Sequence, residues 1–132
     1  MKRLILILAI GLALTQGAQA GPGGCTTAPS LEPFAEEVLV VADTALPLTA
    51  SVYAPTGASP ADMAIITIET DSVRWRDTGQ VPTSAVGHLE VVTSSAPKNL
   101  TICGIAAIRK FQVIRSTAVS AGLTATYYRE GS

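Results

Sequence analysis

Residues 63–80 read MAIITIETDSVRWRDTGQ, and this stretch decides the fold class. Met63 to Thr70 is rich in β-branched residues, which suit a pleated, half-buried surface better than a helix. Ile65, Ile66 and Ile68 fall on both faces of an extended chain, which predicts a central strand covered on both sides. After a break at Asp71-Ser72, Val73 and Trp75 alternate against Arg74 and Arg76, which predicts a second strand with one apolar face. Asp77-Thr78-Gly79-Gln80 closes it as a turn, because Gly79 takes positive φ without steric cost.

Outward from this stretch the chain continues as short apolar runs separated by turn formers. The expected strands are Glu37 to Ala42, Leu46 to Tyr53, Leu89 to Val92, Leu100 to Ile105, Lys110 to Ile114 and Leu123 to Tyr128. In the second of these Leu46, Leu48, Ala50 and Val52 share one face, and Pro47 marks a strand start or a sheet edge. The Leu100 and Lys110 runs read as a pair joined through Ala106-Ala107-Ile108. No amphipathic helix stands out downstream of the N-terminal segment. Seven or eight short strands with regular turn signals predict an all-β fold, a small antiparallel β-sandwich or open barrel.

The N-terminus reads differently. Residues 1–20, MKRLILILAIGLALTQGAQA, combine a basic start at Lys2 and Arg3 with an apolar run and a small-x-small ending at Ala18 and Ala20. That is the pattern of a helical export signal cleaved after Ala20, and the run is too short to span a bilayer. The alternative is an uncleaved N-terminal anchor. Residues 21–34 are rich in Gly, Pro, Ser and Thr and read as a flexible lead-in, which leaves 35–132 as the β domain.

Charge narrows the function. Without the signal, seven basic side chains face ten acidic ones, and no Lys/Arg run forms a patch for nucleic acid or an anionic membrane. Only 14% of the chain is charged, a composition suited to close contact with neighbouring subunits. Cys25 and Cys103 are the only cysteines. In an oxidising compartment such a pair invites a disulfide; otherwise Cys103 is a buried thiol and Cys25 lies in the lead-in.

Catalytic signatures are missing. His88 is the only histidine, and no CxxC or HExxH spacing accompanies it, so no metal or other cofactor is expected. It reads as a turn cap at Gly87 or a surface residue. Glu69 and Asp71 would share a strand face, but Arg74 and Arg76 stand close by, and surface ion pairing is the simpler reading. No GxSxG elbow supports a nucleophile. Trp75 between two arginines reads as a core residue, with stacking on a sugar or base as the alternative.

The stretch ITIETDSVRWRDTGQVPTSAVGHL, residues 66–89, resembles a segment of small, β-rich virion-associated proteins of tailed phages and prophages. Similar proteins carry a strand like Ile108 to Arg115 and a last strand with a tyrosine-rich ending, here Leu123 to Tyr128. The resemblance spans roughly residues 35 to 129. It implies a non-enzymatic virion component, such as a capsid decoration, fibre or tail accessory, whose partners are other virion proteins or further copies in a homo-oligomer. It singles out Arg74, Trp75, Arg76, Asp77, Gly79, Pro82, Gly87, His88, Tyr127 and Tyr128 as contact or fold-defining residues. Virion proteins of this kind assemble in the cytoplasm, so the resemblance places the chain in a virion while the N-terminus implies export. A secreted domain binding carbohydrate or cell surfaces through Trp75, Tyr53, Tyr127 and Tyr128 is the alternative function.

Overall fold

The structure, a computed structural model, describes Cys25 and residues 30–131. The expected signal, residues 1–20, and most of the expected lead-in lie outside the described residues. Eight strands form two four-stranded antiparallel sheets, so the fold is all-β and sandwich-like. One sheet runs in the order β1 (Leu31–Val41), β8 (Ala121–Glu130), β3 (Met63–Ile68), β6 (Lys98–Cys103). The other runs β2 (Leu46–Pro47), β7 (Gln112–Arg115), β4 (Asp71–Arg76), β5 (His88–Thr93). Among the described residues no helix is long and apolar enough to cross a membrane.

Strand β8 shows why the first sheet closes. Its residues alternate strictly, with Ala121, Leu123, Ala125 and Tyr127 buried and the intervening Gly122, Thr124, Thr126 and Tyr128 half-buried. The period of two sends one set to the core and the other to the opposite face. Opposite Leu123 lie Leu39 and Ile68, and opposite Ala125 lies Ile66. Small residues at 121 and 125 between the larger Leu123 and Tyr127 let the isoleucines of β3 and the side chains of the facing sheet interdigitate. Val73 and Val113 from the second sheet, with Phe111 and Ile108, complete one continuous core.

Several expectations require correction. Strand β3 is internal, as Ile65 to Ile68 imply, but only one of its faces is fully buried: Ala64, Ile66 and Ile68 point inward, whereas Met63, Ile65 and Thr67 are half-exposed. Among the described residues the sheet is fully covered on one side only. Strand β1 reaches back to Leu31, into the segment read as lead-in, because the C-terminal half of β8 pairs with it as far as Leu31 opposite Glu130. The run Leu46 to Tyr53 is a strand only over Leu46–Pro47 and then coils into the single helical turn α1 (Ala50–Tyr53). Pro47 has no N–H to extend a ladder, and the turn swings Tyr53 into the core, its ring centroid 6.0 Å from that of Tyr127.

Strands β6 and β7 are not partners. They belong to different sheets, and residues read as a plain connection form α2 (Ile105–Lys110), which carries the chain from one sheet to the other. Ile105 and Ile108, one helical turn apart, face inward; Ile108 is fully buried. The helix is too short for its apolar spacing to be told from a buried strand.

Two long-range ties join distant parts of the chain. Cys25 and Cys103 are disulfide-bonded, with Cα atoms 5.1 Å apart and a sequence separation of 78. The bond fixes the stretch ahead of β1 to β6, at the opposite edge of the same sheet. In the chain-entropy model a loop of this length stabilises the fold by about 4.5 kcal/mol.

The second tie is the Tyr127 phenol, which donates a hydrogen bond to Glu37 Oε1; the same oxygen accepts the Thr49 backbone N–H at 3.0 Å. Burial, then the hydrogen bond and charge of Glu37, push the Tyr127 phenol well above its ordinary range. The raised value means the neutral phenol is the form the fold holds. Its contribution is complete below about pH 10, the ordinary tyrosine value, and is lost as pH rises beyond it. The difference between spectrophotometric titrations of wild type and Tyr127→Phe should therefore show the Tyr127 phenol ionising only as the chain unfolds in alkali. Tyr127→Phe should remove this effect and cost about 1–2 kcal/mol, because Glu37 loses a partner. Ionisation of Tyr127 in the folded state, in the ordinary tyrosine range, would contradict this account.

Candidate functional site

The residues singled out between Arg74 and His88 cluster on the second sheet. Arg74 and Arg76 lie on the face of β4 away from the core, whereas Val73 and Trp75 lie on the core side. Past Arg76 the chain leaves the sheet, turns at Gly79 (φ +85°), and returns through Pro82 and Gly87 into β5. Asp77 is half-buried at the start of that loop.

Arg74 holds the loop in place. Its Nε donates to the Ser84 carbonyl at 2.9 Å and its Nη1 to the Gly87 carbonyl at 3.0 Å. The planar fork of a guanidinium suits two carbonyls presented side by side. Pro82 is fully buried beneath the loop. Gly87 adopts φ +133°, and a Cβ there would come within 3.2 Å of both Pro82 Cβ and the Trp75 carbonyl. A side chain at 87 is therefore strained by conformation and crowded by its neighbours. Ile114 is also buried, yet it lies outside the main core cluster, on the same sheet face as Arg74, which it opposes in register. The loop thus roofs part of the outer face of this sheet.

Trp75 is half-buried. Its ring stacks on Phe111 at 5.8 Å between centroids and lies 4.7 Å from the His88 ring, while Nε1 is buried without a hydrogen-bond partner. His88 is exposed and shields one side of the indole. A shallow open groove beside it is lined by Arg76, Thr78, Gly87 and His88.

The carboxylates read as partners of the arginines find other partners. Glu69 Oε1 accepts from the Thr124 hydroxyl at 2.9 Å, and Asp71 Oδ1 from the Ser72 N–H at 2.6 Å. The chain crosses between sheets at Glu69-Thr70, so these two acids do not share one strand face. Among the described residues no three His, Cys, Asp or Glu side chains gather where they could hold a metal ion.

Tyr127 and Tyr128 are separated by their strand. Tyr127 lies in the core with Tyr53, and Tyr128 is half-buried on the outer face beside Met63. The rest of that outer face is rich in Thr, and Glu36 and Glu69 bring their carboxylates to it. Thr124 sits between Val38 and Thr67, with Asn99 beyond; Thr126 sits between Glu36 and Ile65, with Thr101 beyond. Val38 and Val40 at its rim are 71% and 68% exposed.

Sequence reasoning passed over Ser72 and Glu37. The Ser72 hydroxyl is buried, accepting the Val92 N–H at 2.9 Å and donating to the Val92 carbonyl at 3.3 Å. Glu37 shares parity with Leu39 and Val41, and an acid on an apolar strand face was the available signal.

No protein family, curated protein or solved structure matches this chain.

The Arg74 contacts predict a specific weakness. Arg74→Ala should lower stability by about 1–2 kcal/mol, at the low end for charge-assisted bonds because one of the two is exposed. It should also make the 80–87 loop a preferred site of limited proteolysis. Arg74→Lys should protect the loop only in part, since one ammonium cannot reproduce the fork. Wild-type resistance in Arg74→Ala would show that the loop is held by Pro82 packing alone.

Proposed function

We propose that this chain is a non-enzymatic assembly module that works through broad contacts with other subunits, in the manner of a virion structural or accessory protein. The observation that carries the reading is the outer face of the first sheet. It presents rows of Thr, Val, Ile and Asn with Val38 and Val40 largely exposed, and the two carboxylates that reach its central rows, Glu36 and Glu69, accept from the hydroxyls of Thr126 and Thr124. Surfaces depleted of charge are the kind that lose little on desolvation when covered by a neighbour. The groove beside His88 is shallow, and its lining residues, Arg76, Thr78, Gly87 and His88, include no carboxylate.

The sugar-binding alternative loses most of its platform. It needs exposed aromatic rings on one face, yet Tyr53 and Tyr127 are core residues and Trp75 packs its ring against Phe111. The virion role rests on the resemblance read in residues 66–89, and the outer face of the first sheet supports it as a surface that a neighbour would cover.

Quantitative mass spectrometry of purified particles from the source should find the chain at many copies, in fixed ratio to the major shell or tail protein. Free chain in the medium with none in particles would overturn the virion reading.

A further inference from the structure

Three hydrogen-bonding side chains meet at one corner of the second sheet with no partner among the described residues. The groove there is lined by Arg76 at the end of β4, Thr78 in the turn, and Gly87 and His88 where the chain enters β5. Arg76 is half-buried, yet its guanidinium makes no hydrogen bond or ion pair with any described residue. The Thr78 hydroxyl and the His88 ring nitrogens have no hydrogen-bond partner among the described residues either. Arg74 is the contrast, since the Ser84 and Gly87 carbonyls engage its guanidinium. A half-buried guanidinium without an acceptor has lost part of its hydration and gained nothing in exchange, which is unfavourable unless a ligand supplies the acceptor.

The charge around this corner is mainly of one sign. A Cβ placed on Gly79 would come within 3.7 Å of Lys110 Cγ, so the Lys110 stem runs along the same turn. Lys110 is exposed and has no ion pair among the described residues. In a chain with ten acidic and nine basic side chains, two unpaired cations beside one turn make a local positive field. Asp77 is the one acid between Arg76 and His88; it is half-buried and does not line the groove. The indole that His88 packs against carries a further unmet donor, because Trp75 Nε1 is buried without a partner.

We propose that this groove binds a phosphate or sulfate group, with the Arg76 guanidinium as charged anchor and the Thr78 hydroxyl and His88 N–H as orienting donors. An imidazole offers at least one N–H in either protonation state. The donors stand on a strand end, a turn and a strand start, so a group between them meets donors from more than one side. That suits a tetrahedral oxyanion, whereas a planar carboxylate would be satisfied by the guanidinium fork alone. The groove offers about 370 Å³ and is open to solvent, which leaves room for a molecule that carries the group. The site goes beyond the assembly reading and does not rest on it, since it lies on the second sheet and the assembly reading rests on the outer face of the first.

The sole tryptophan reports on the groove through its contact with His88. Titration of the disulfide-intact chain with inorganic phosphate, sulfate and a hexose phosphate, at physiological ionic strength, should change its fluorescence saturably. Amide shifts in NMR spectra should map the change to residues 76–79 and 87–88. Arg76→Gln should weaken binding about tenfold or more, because it removes the charge-assisted anchor. Thr78→Val, at an exposed position, should weaken it less, and Arg129→Gln on the first sheet should leave it unchanged. Thermal melts check that each variant folds. Equal affinity for the free ions and the hexose phosphate supports a site for the free anion, and tighter binding of the ester supports a site for a phosphorylated molecule. No saturable change with any of the three anions would overturn the proposal. Equal weakening by Arg76→Gln and Arg129→Gln would also overturn it, by showing diffuse surface attraction in place of a site. Either failure leaves the assembly reading to be decided by particle composition.

Discussion

Everything in the first sheet depends on β8 being paired on both sides. Strand β1 has no other neighbour in that sheet, and β3 has only β6 on its far side. Because β8 follows every other described strand in sequence, β1 cannot be held until β8 has been made. Its partners on either side come from residues 31–41 and 63–68, so the sheet is built from contacts distant along the chain. Closing such long loops costs entropy that the strictly alternating apolar set at 121, 123, 125 and 127 must offset, which it does by facing Ile66, Ile68 and Leu39. Tyr127 adds the hydrogen bond to Glu37 across the same β1–β8 pair, and the disulfide limits the freedom of the unfolded β1 region.

The second sheet is built differently. It is shorter, its β2 edge is rudimentary, and part of its outer face is roofed by the loop that Arg74 clasps. This gives the molecule two unlike outer surfaces. One is flat and Thr-rich; the other is covered at its centre and apolar at its β5 rim. A subunit with two different outer surfaces can contact two different neighbours, and that is the physical content of the assembly proposal.

Much of the architecture was legible because period-two alternation is a local signal. Val73 and Trp75 against the two arginines, and Leu123, Ala125 and Tyr127 against the threonines, read directly as strand faces. The failures lie where local pattern is overruled by partners. Alternation through Leu46 to Tyr53 looked like a strand, but Pro47 and the burial of Tyr53 against Tyr127 turn it into a helical turn. Six residues of α2 were too few to show a helical period. Which strands pair, and that Glu69 and Asp71 stand on different sheets, depends on topology that no short window contains. The site residues from Arg74 to His88 were legible as turn chemistry. That Arg74 clasps the loop, and that Ser72 replaces a missing ladder partner at Val92, became visible only with the register.

The central claim is that β8, held between β1 and β3, is the most cooperative part of the fold, with β5 and β2 at its weaker margins. Native-state hydrogen exchange of the disulfide-intact chain tests this directly. The amides of β8 and β3 that bond within the sheet should exchange last and together, at the free energy of global unfolding, with those of β5 and β2 exchanging earlier. Exchange of β8 ahead of β5 would contradict the account.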